Sequence, residues 1–405
     1  MLRSVCQRFD AIDRGTARTM TTRPAQALPL PIAILILFFA YWCVDFVSPT
    51  VPSIQSSLNL SATSAGLIFS VFFGGRLLTN LPAAWLVDRT GPRLTAGLGA
   101  VILLVGSVLV AVAQSASTLL PARGVQGAGV ALLATAGLLS VLRVLPGGGA
   151  AMTAFNVATG AGGSAALLLG GVLASTVGWR SVFWISAGIS AILLILSLLA
   201  RPQAAEARIL SDPGRDELPR HRRGAIWLAV LANFIVFINY AIWVLGIPLL
   251  SAEKFHLDAT DVGLVLLFVN LVHLAAAIPF GRVIRLAGAS TALAAGLGLA
   301  GLGMILTPLA VSPVYLAAPL ALYAMGQVAG NSSAGDLILR TGGGGGKAVG
   351  AVRLSSDIGM VIGPALAGII ADSAGVEASF VALGRISLLC ACAVLVLRWL
   401  QRSRL

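Results

Sequence analysis

Residues 62–93 read ATSAGLIFSVFFGGRLLTNLPAAWLVDRTGPR, and residues 259–290 read ATDVGLVLLFVNLVHLAAAIPFGRVIRLAGAS. Each opens on Ala-Thr, runs through an apolar stretch with one proline inside it, and closes on a glycine turn. The two are displaced by 197 residues, and the same displacement holds elsewhere. Gly129 falls on Gly326, Arg143 on Arg340, Gly171 on Gly368, Gly178 on Gly375 and Phe183 on Phe380. A constant offset running through several apolar segments marks a tandem duplication.

The composition states what is duplicated. Of 405 residues, 58% are hydrophobic and 10% charged, against about 25% charged in a soluble domain. A helix crossing the hydrocarbon needs about 20 mostly apolar residues, because lipid offers the backbone no hydrogen-bond partner. Twelve such stretches occur, near 30–50, 64–86, 93–113, 118–141, 150–174, 181–200, 225–249, 261–283, 289–309, 313–338, 349–371 and 379–400. The reading is an all-α membrane protein with 12 transmembrane helices in two six-helix pseudo-symmetric halves, 30–200 and 225–400. Six is even, so each half starts and ends on one side of the membrane. The halves then run parallel about an axis along the membrane normal and can rock around a central site.

The net charge of +12 would suit nucleic acid, but its distribution follows the positive-inside rule. Basic residues crowd the tail 1–29, the linker 201–224, the turns after even-numbered spans and the tail 401–405. Only Arg180 and Lys254 fall on the other side, and Arg76, Arg123, Arg353 and Arg385 lie within spans. Both termini and the linker are therefore expected in the cytoplasm of a cell that holds the protein in its plasma or inner membrane. The lipid bilayer, not nucleic acid, is the expected partner of the basic surface. No cleaved signal is expected, since residues 1–29 lack a short apolar core before the first span. Four cysteines show neither metal spacing nor a disulfide framework.

Two motifs carry a family resemblance. Between spans two and three stands Ala84-Trp85-Leu86-Val87-Asp88-Arg89-Thr90-Gly91-Pro92-Arg93. It resembles the signature loop of the major facilitator superfamily, G-x-x-x-D-R/K-x-G-R-R/K, with Ala84 in place of the first glycine. Span four opens Arg123-Gly124-Val125-Gln126-Gly127-Ala128-Gly129, similar to that family's R-x-x-Q-G-x-G. Gly178-Trp179-Arg180 with Phe183 resembles the loop before span six of many drug exporters. In span five, Ala166-Leu167-Leu168-Leu169-Gly170-Gly171 lacks the proline of the antiporter motif G-P-x-x-G-G, although the second half carries Gly363-Pro364. The resemblance implies the twelve-helix transporter fold of the drug/proton antiporter-like branch. It implies a cytoplasmic gate at Asp88, Arg89, Gly91 and Arg93, with Asp88 latching the first half to the start of span eleven. It also implies a proton-coupling role for Arg123.

Ionisable groups inside the membrane are costly and must face protein or a wet cavity. Asp45, about 22 Å into span one, is expected in the outer half, level with Arg123, so that the two could pair and switch with a proton. A static ion pair is the alternative. Arg76 lies near the midplane and its repeat-mate is His273; Arg76 would bind an anionic substrate or neutralise Asp45, and His273 would be a packing residue. Arg353 and Asp357, four apart, are expected to pair locally on span eleven near the gate, with Asp357 the second candidate for proton coupling. Asn233, Asn239, Tyr240 and Trp243 on span seven would suit a cavity for amphipathic molecules, with a packed polar interface as the alternative, and Gln126, Asn156 and Asn270 complete the expected substrate cavity.

The chain has no G-x-x-x-x-G-K-[ST] phosphate loop, and Gly342 to Gly346 with Lys347 does not supply its spacing. No H-E-x-x-H or G-x-S-x-G motif suggests an enzyme. The expectation is a monomeric secondary transporter without cofactor or metal. It would move a small molecule by alternating access, through proton-coupled export of drug-like or metabolic compounds. Uptake of an anionic metabolite, or a sensor built on a transporter fold, are the other readings.

Overall fold

The computed structural model describes residues 26–145, 148–201, 203–204, 223–341 and 346–402. The tail before Gln26, most of the linker read at 201–224, and the run Gly342 to Gly345 lie outside them. The described residues form twelve long helical segments: α1 (Leu30–Leu58), α2 (Ala62–Thr90), α3 (Pro92–Ala111), α4 (Ala116–Val144), α5 (Gly148–Thr176), α6 (Trp179–Leu199), α7 (Ile226–Phe255), α8 (Ala259–Ala287), α9 (Ala289–Leu306), α10 (Ala317–Thr341), α11 (Gly346–Ala374) and α12 (Val376–Arg402). Eleven are long and apolar enough to cross a bilayer. The other, α10, has the length at 25 residues but carries Gln327, Asn331, Ser332, Ser333 and Asp336.

Two segments break their regular winding. Helix α1 passes through a 3-10 turn at Ser48–Thr50, where Pro49 removes a backbone donor. Helix α7 contains a π turn at Ile242–Gly246, the kind of local bulge found at functional positions.

The duplication is written into the backbone. Residues with positive φ come in pairs 197 apart: Asn59 and His256, Gly91 and Gly288, Gly178 and Gly375. Helices α2 and α8 begin and end at repeat-equivalent residues, and their N-caps are also mates. Ser61 accepts the Ser64 N–H at 3.1 Å, and Asp258 accepts the Asp261 N–H at 2.9 Å.

The halves meet along two seams, α2 against α11 and α5 against α8. At the end of the bundle that holds residues 59–61 and 256–258, glycines bring backbones into contact. A Cβ on Gly66 would lie 2.1 Å from the Pro364 carbonyl oxygen, and one on Gly368 would lie 2.4 Å from that of Ala62. The mates repeat this in the other seam, Gly263 against Leu167 O at 2.5 Å and Gly171 against Ala259 O at 2.4 Å. Close backbone approach of this kind is how helices pack tightly where no hydrophobic effect drives them together. This is the sealed end.

The opposite, basic end carries Asp88, Arg89, Arg93, Arg143 and Arg201. There a two-stranded antiparallel clip joins β1 (Gln26–Ala27) to β2 (Gln203–Ala204). Arg143 donates to Gln26 O at 2.7 Å and Ser140 Oγ accepts from the Leu28 N–H at 3.1 Å, fastening the clip to the first half. The hydropathy reading contains no sign of this clip, because two residues of strand are too short to show a period.

Candidate functional site

Three polar links between the halves lie at similar depth, forming a belt across the bundle. The first joins α1 to α7: the Tyr240 hydroxyl donates to Asp45 Oδ1 at 3.0 Å. The second joins α2 to α11: Arg76 Nη2 stands 3.6 Å from Asp357 Oδ1, and Asn80 Nδ2 donates to Asp357 Oδ2 at 2.8 Å. The third joins α8 to α5, where Asn270 Nδ2 donates to Ser164 Oγ at 2.8 Å. Counting residues from the sealed end at 1.5 Å each, these groups lie about 17 to 27 Å down their helices, in the middle of the bundle.

Aromatic rings surround the Asp45 link. Tyr240 stacks with Trp243 at 6.5 Å and 10° between planes, Phe73 meets Tyr240 edge-on at 5.9 Å, and His273 meets Trp243 edge-on at 6.3 Å. Tyr41 and Phe155 form another edge contact nearby in sequence, at 5.8 Å. Gly163 on α5 leaves room for the carboxylate, since a Cβ there would lie 2.6 Å from Asp45 Oδ2. Asp45, Tyr240, Arg76, Asn270 and His273 are all half-buried. Rings supply apolar contact area while the half-buried polar groups fix orientation, the usual make-up of a small-molecule site.

The expected pairing of Asp45 with Arg123 is not what the structure shows. Arg123 is fully buried on α4, where its Nη1 donates to Gln126 Oε1 at 2.6 Å and its Nε to Ile68 O at 3.4 Å. Its guanidinium lies 4.4 Å from the centre of the Phe72 ring. Gln126 in turn donates to Ser107 Oγ at 2.9 Å. Two features of the fold separate the pair. Helix α1 runs on to Leu58, eight residues past the span read from hydropathy, which moves Asp45 from the outer half to the middle. Depth also says nothing of azimuth: Asp45 faces α5 and α7, while Arg123 faces α2.

The local pair expected between Arg353 and Asp357 is likewise replaced by a contact between halves. Asp357 is buried and reaches Arg76 and Asn80, whereas Arg353 is exposed. Arg76 therefore answers Asp357 and not Asp45. Asn80 is not among the residues expected from sequence, although its place four residues after Arg76 sets it on the same face of α2 and is the signal that could have found it.

Other expected cavity residues are distributed differently. Asn233 is fully buried and donates to Ser355 Oγ at 2.7 Å and Ser356 Oγ at 2.9 Å on α11. Asn239 donates to Ser387 Oγ at 2.6 Å on α12, and its carbonyl accepts the Tyr323 hydroxyl at 2.9 Å. Both hold the second half together instead of lining a wall with Tyr240. Asn156 is exposed on α5.

At the basic end, Asp88 is 72% exposed, and Arg143 of its own half stands 3.8 Å away. Arg89 stacks on Trp85 at 4.2 Å, Arg93 donates to Leu198 O, and Gly91 turns the chain at φ 84°.

The comparisons with known proteins fit this architecture. Over 242 residues the chain is 30% identical to the MFS-type transporter EfpA of Mycobacterium tuberculosis, covering 58% of this chain and 41% of that protein. Over 176 residues it is 28% identical to the multidrug resistance protein Stp of the same organism, covering 43% and 33%. The chain thus spans about two fifths or less of the length of these relatives. Among solved structures it superposes on the nucleoside transporter NupG with a TM-score of 0.74 at 12% identity, covering 91% of this chain and 99% of that one. It superposes on a bacterial homolog of the human lysosomal transporter Spinster, in an inward-facing and occupied conformation, with a TM-score of 0.75 at 18% identity, covering 91% and 95%. The profile of the Major Facilitator Superfamily matches residues 33–342 and 229–405. Both halves fall under that profile, and this chain is a member of the Major Facilitator Superfamily.

Proposed function

We propose that the chain is a secondary transporter that exports small amphipathic compounds in exchange for protons by alternating access, with Asp45 as the proton-carrying group. The observation that carries this reading is the Tyr240 to Asp45 hydrogen bond, made in the middle of the bundle and between the halves. An ionised carboxylate accepts a stronger hydrogen bond than a neutral one. A proton on Asp45 would thus weaken the tie between α1 and α7 and bias the rocking of the halves. The names of the relatives, a multidrug resistance protein and a drug efflux pump of M. tuberculosis, support export and an amphipathic cargo. The aromatic rings around Asp45 suit such a cargo.

In this reading the basic end faces the cytoplasm of a cell-membrane protein with both termini inside, because Lys and Arg concentrate there. The described conformation is then sealed outward. Asp88 would latch to α11 only when the cytoplasmic side closes. Uptake of an anion is less well supported, since Arg76, the residue that would attract one, is already engaged by Asp357.

The test is transport in proteoliposomes with an imposed pH gradient, comparing cationic, neutral and anionic dyes. Asp45→Asn should abolish uphill movement driven by the gradient while leaving dye-for-dye exchange, which needs no net proton transfer. Undiminished uphill transport in that variant would remove Asp45 from coupling and turn attention to Asp357.

A further inference from the structure

The two seams are built alike from glycine mates, but their outermost contacts differ in charge. Helix α2 begins at Ala62 with no acidic residue in its first turn. Its own cap, Ser61, accepts the Ser64 N–H, and Ser61 O accepts the Ala65 N–H at 3.0 Å. The Ala62 and Thr63 N–H groups remain. Both are taken by Asp372 of α11, in the other half: Oδ1 accepts from Ala62 N at 2.7 Å and Oδ2 from Thr63 N at 2.9 Å.

The repeat-mate arrangement shows that this is not a general property of the fold. The mate of Asp372 is Ser175, and the mate of Thr63 is Thr260. There the contact is a hydroxyl pair, Ser175 Oγ to Thr260 Oγ at 2.6 Å. Helix α8 does not need an acid from across the seam, because it carries Asp258 as its cap and Asp261 in its first turn. Helix α8 carries its anions at its own N-terminus, and α2 borrows one from the opposite half.

We infer that Asp372 is the latch of the sealed end: it caps α2 across the interface between the halves, so parting the seam strips the α2 N-terminus of its anion. The positive end of the helix macrodipole and two unpaired N–H groups then pass to water. The intact contact therefore favours the sealed conformation, and the α2–α11 seam resists opening more than the α5–α8 seam. This rests on the alternating-access reading for its purpose, but not for its measurement.

The experiment reads distance across the sealed end without substrate or gradient, so failure of transport and failure of the latch are separable. Spin labels go on Ser56 of α1 and Glu253 of α7, both exposed and in opposite halves, in a background with the four cysteines replaced. Asp372→Ala should raise the ratio of the long-distance to the short-distance population about two- to thirtyfold, the range that loss of a helix cap allows. Asp372→Asn, which keeps one acceptor and the side-chain shape, should shift it less, and Ser175→Ala less again. Thermal melting in detergent checks that each variant is folded. Distance distributions unchanged from the parent in folded Asp372→Ala and Asp372→Asn would overturn the latch.

Discussion

The α2–α11 seam and the α5–α8 seam descend from the same two helices of one ancestral half, and their close glycine contacts recur at repeat-equivalent residues. Their chemistry does not. The first seam holds Asp372 on the α2 N-terminus, Ser70 Oγ accepting from the Ala365 N–H at 3.1 Å, and Asp357 between Arg76 and Asn80. The second holds a hydroxyl pair and one amide-to-hydroxyl bond. Where the first has Asp357, the second has Gly160, against the Leu274 side chain. Duplication supplied the geometry twice, and divergence concentrated charge in one copy.

The largest effect should come from removing one partner of the buried charge pair in the first seam. Asp357→Ala leaves Arg76 in the bundle without its counter-ion, and breaking a buried pair in this way costs about 3 kcal/mol or more. Thermal melting should show a drop that Arg76→Ala in the same chain partly reverses. Additive losses in the double variant would mean that the two do not interact. The mate His273→Ala should cost far less, since its contact is an edge-on ring.

Next in size are the glycines of the seal. Gly66→Ala sets a methyl group against the Pro364 carbonyl, which cannot move aside as a flexible side chain would. Overpacking of about 1–3 kcal/mol follows, and it falls on the sealed conformation. Cross-linking between cysteines at positions 56 and 253 should slow in Gly66→Ala. Gly160→Ala meets only the Leu274 side chain at 3.1 Å, which can rotate, and should leave cross-linking near the parent. Equal effects at both positions would contradict the view that backbone contact makes the seal.

The smallest effect belongs to the neutral mate of the latch. Ser175→Ala removes one exposed hydroxyl contact and should change stability by about 0.5 kcal/mol or less. A larger loss would mean that the two seams are energetically alike.

Much of this protein is legible in its sequence. Apolar runs of bilayer length, the 197-residue offset and the Arg distribution determine a helical membrane protein of two parallel halves, because each is a property of the chain read along one dimension. Asp45, Arg76, Tyr240, Trp243, Asn270, Asp357 and His273 were also singled out by sequence, since polar groups stand out against an apolar background. What they touch was decided only by the tertiary structure. Asp45 finds Tyr240 and not Arg123, and Asp357 finds Arg76 and not Arg353, four residues away on its own helix. Hydropathy gives a residue its approximate depth but no direction around the helix axis. The length of α1 beyond Pro49 shifts even the depth of Asp45. Partners such as Asn80, Ser164 and Asp372 come from helices far away in the chain, and only the packing of one half against the other brings them within hydrogen-bonding distance.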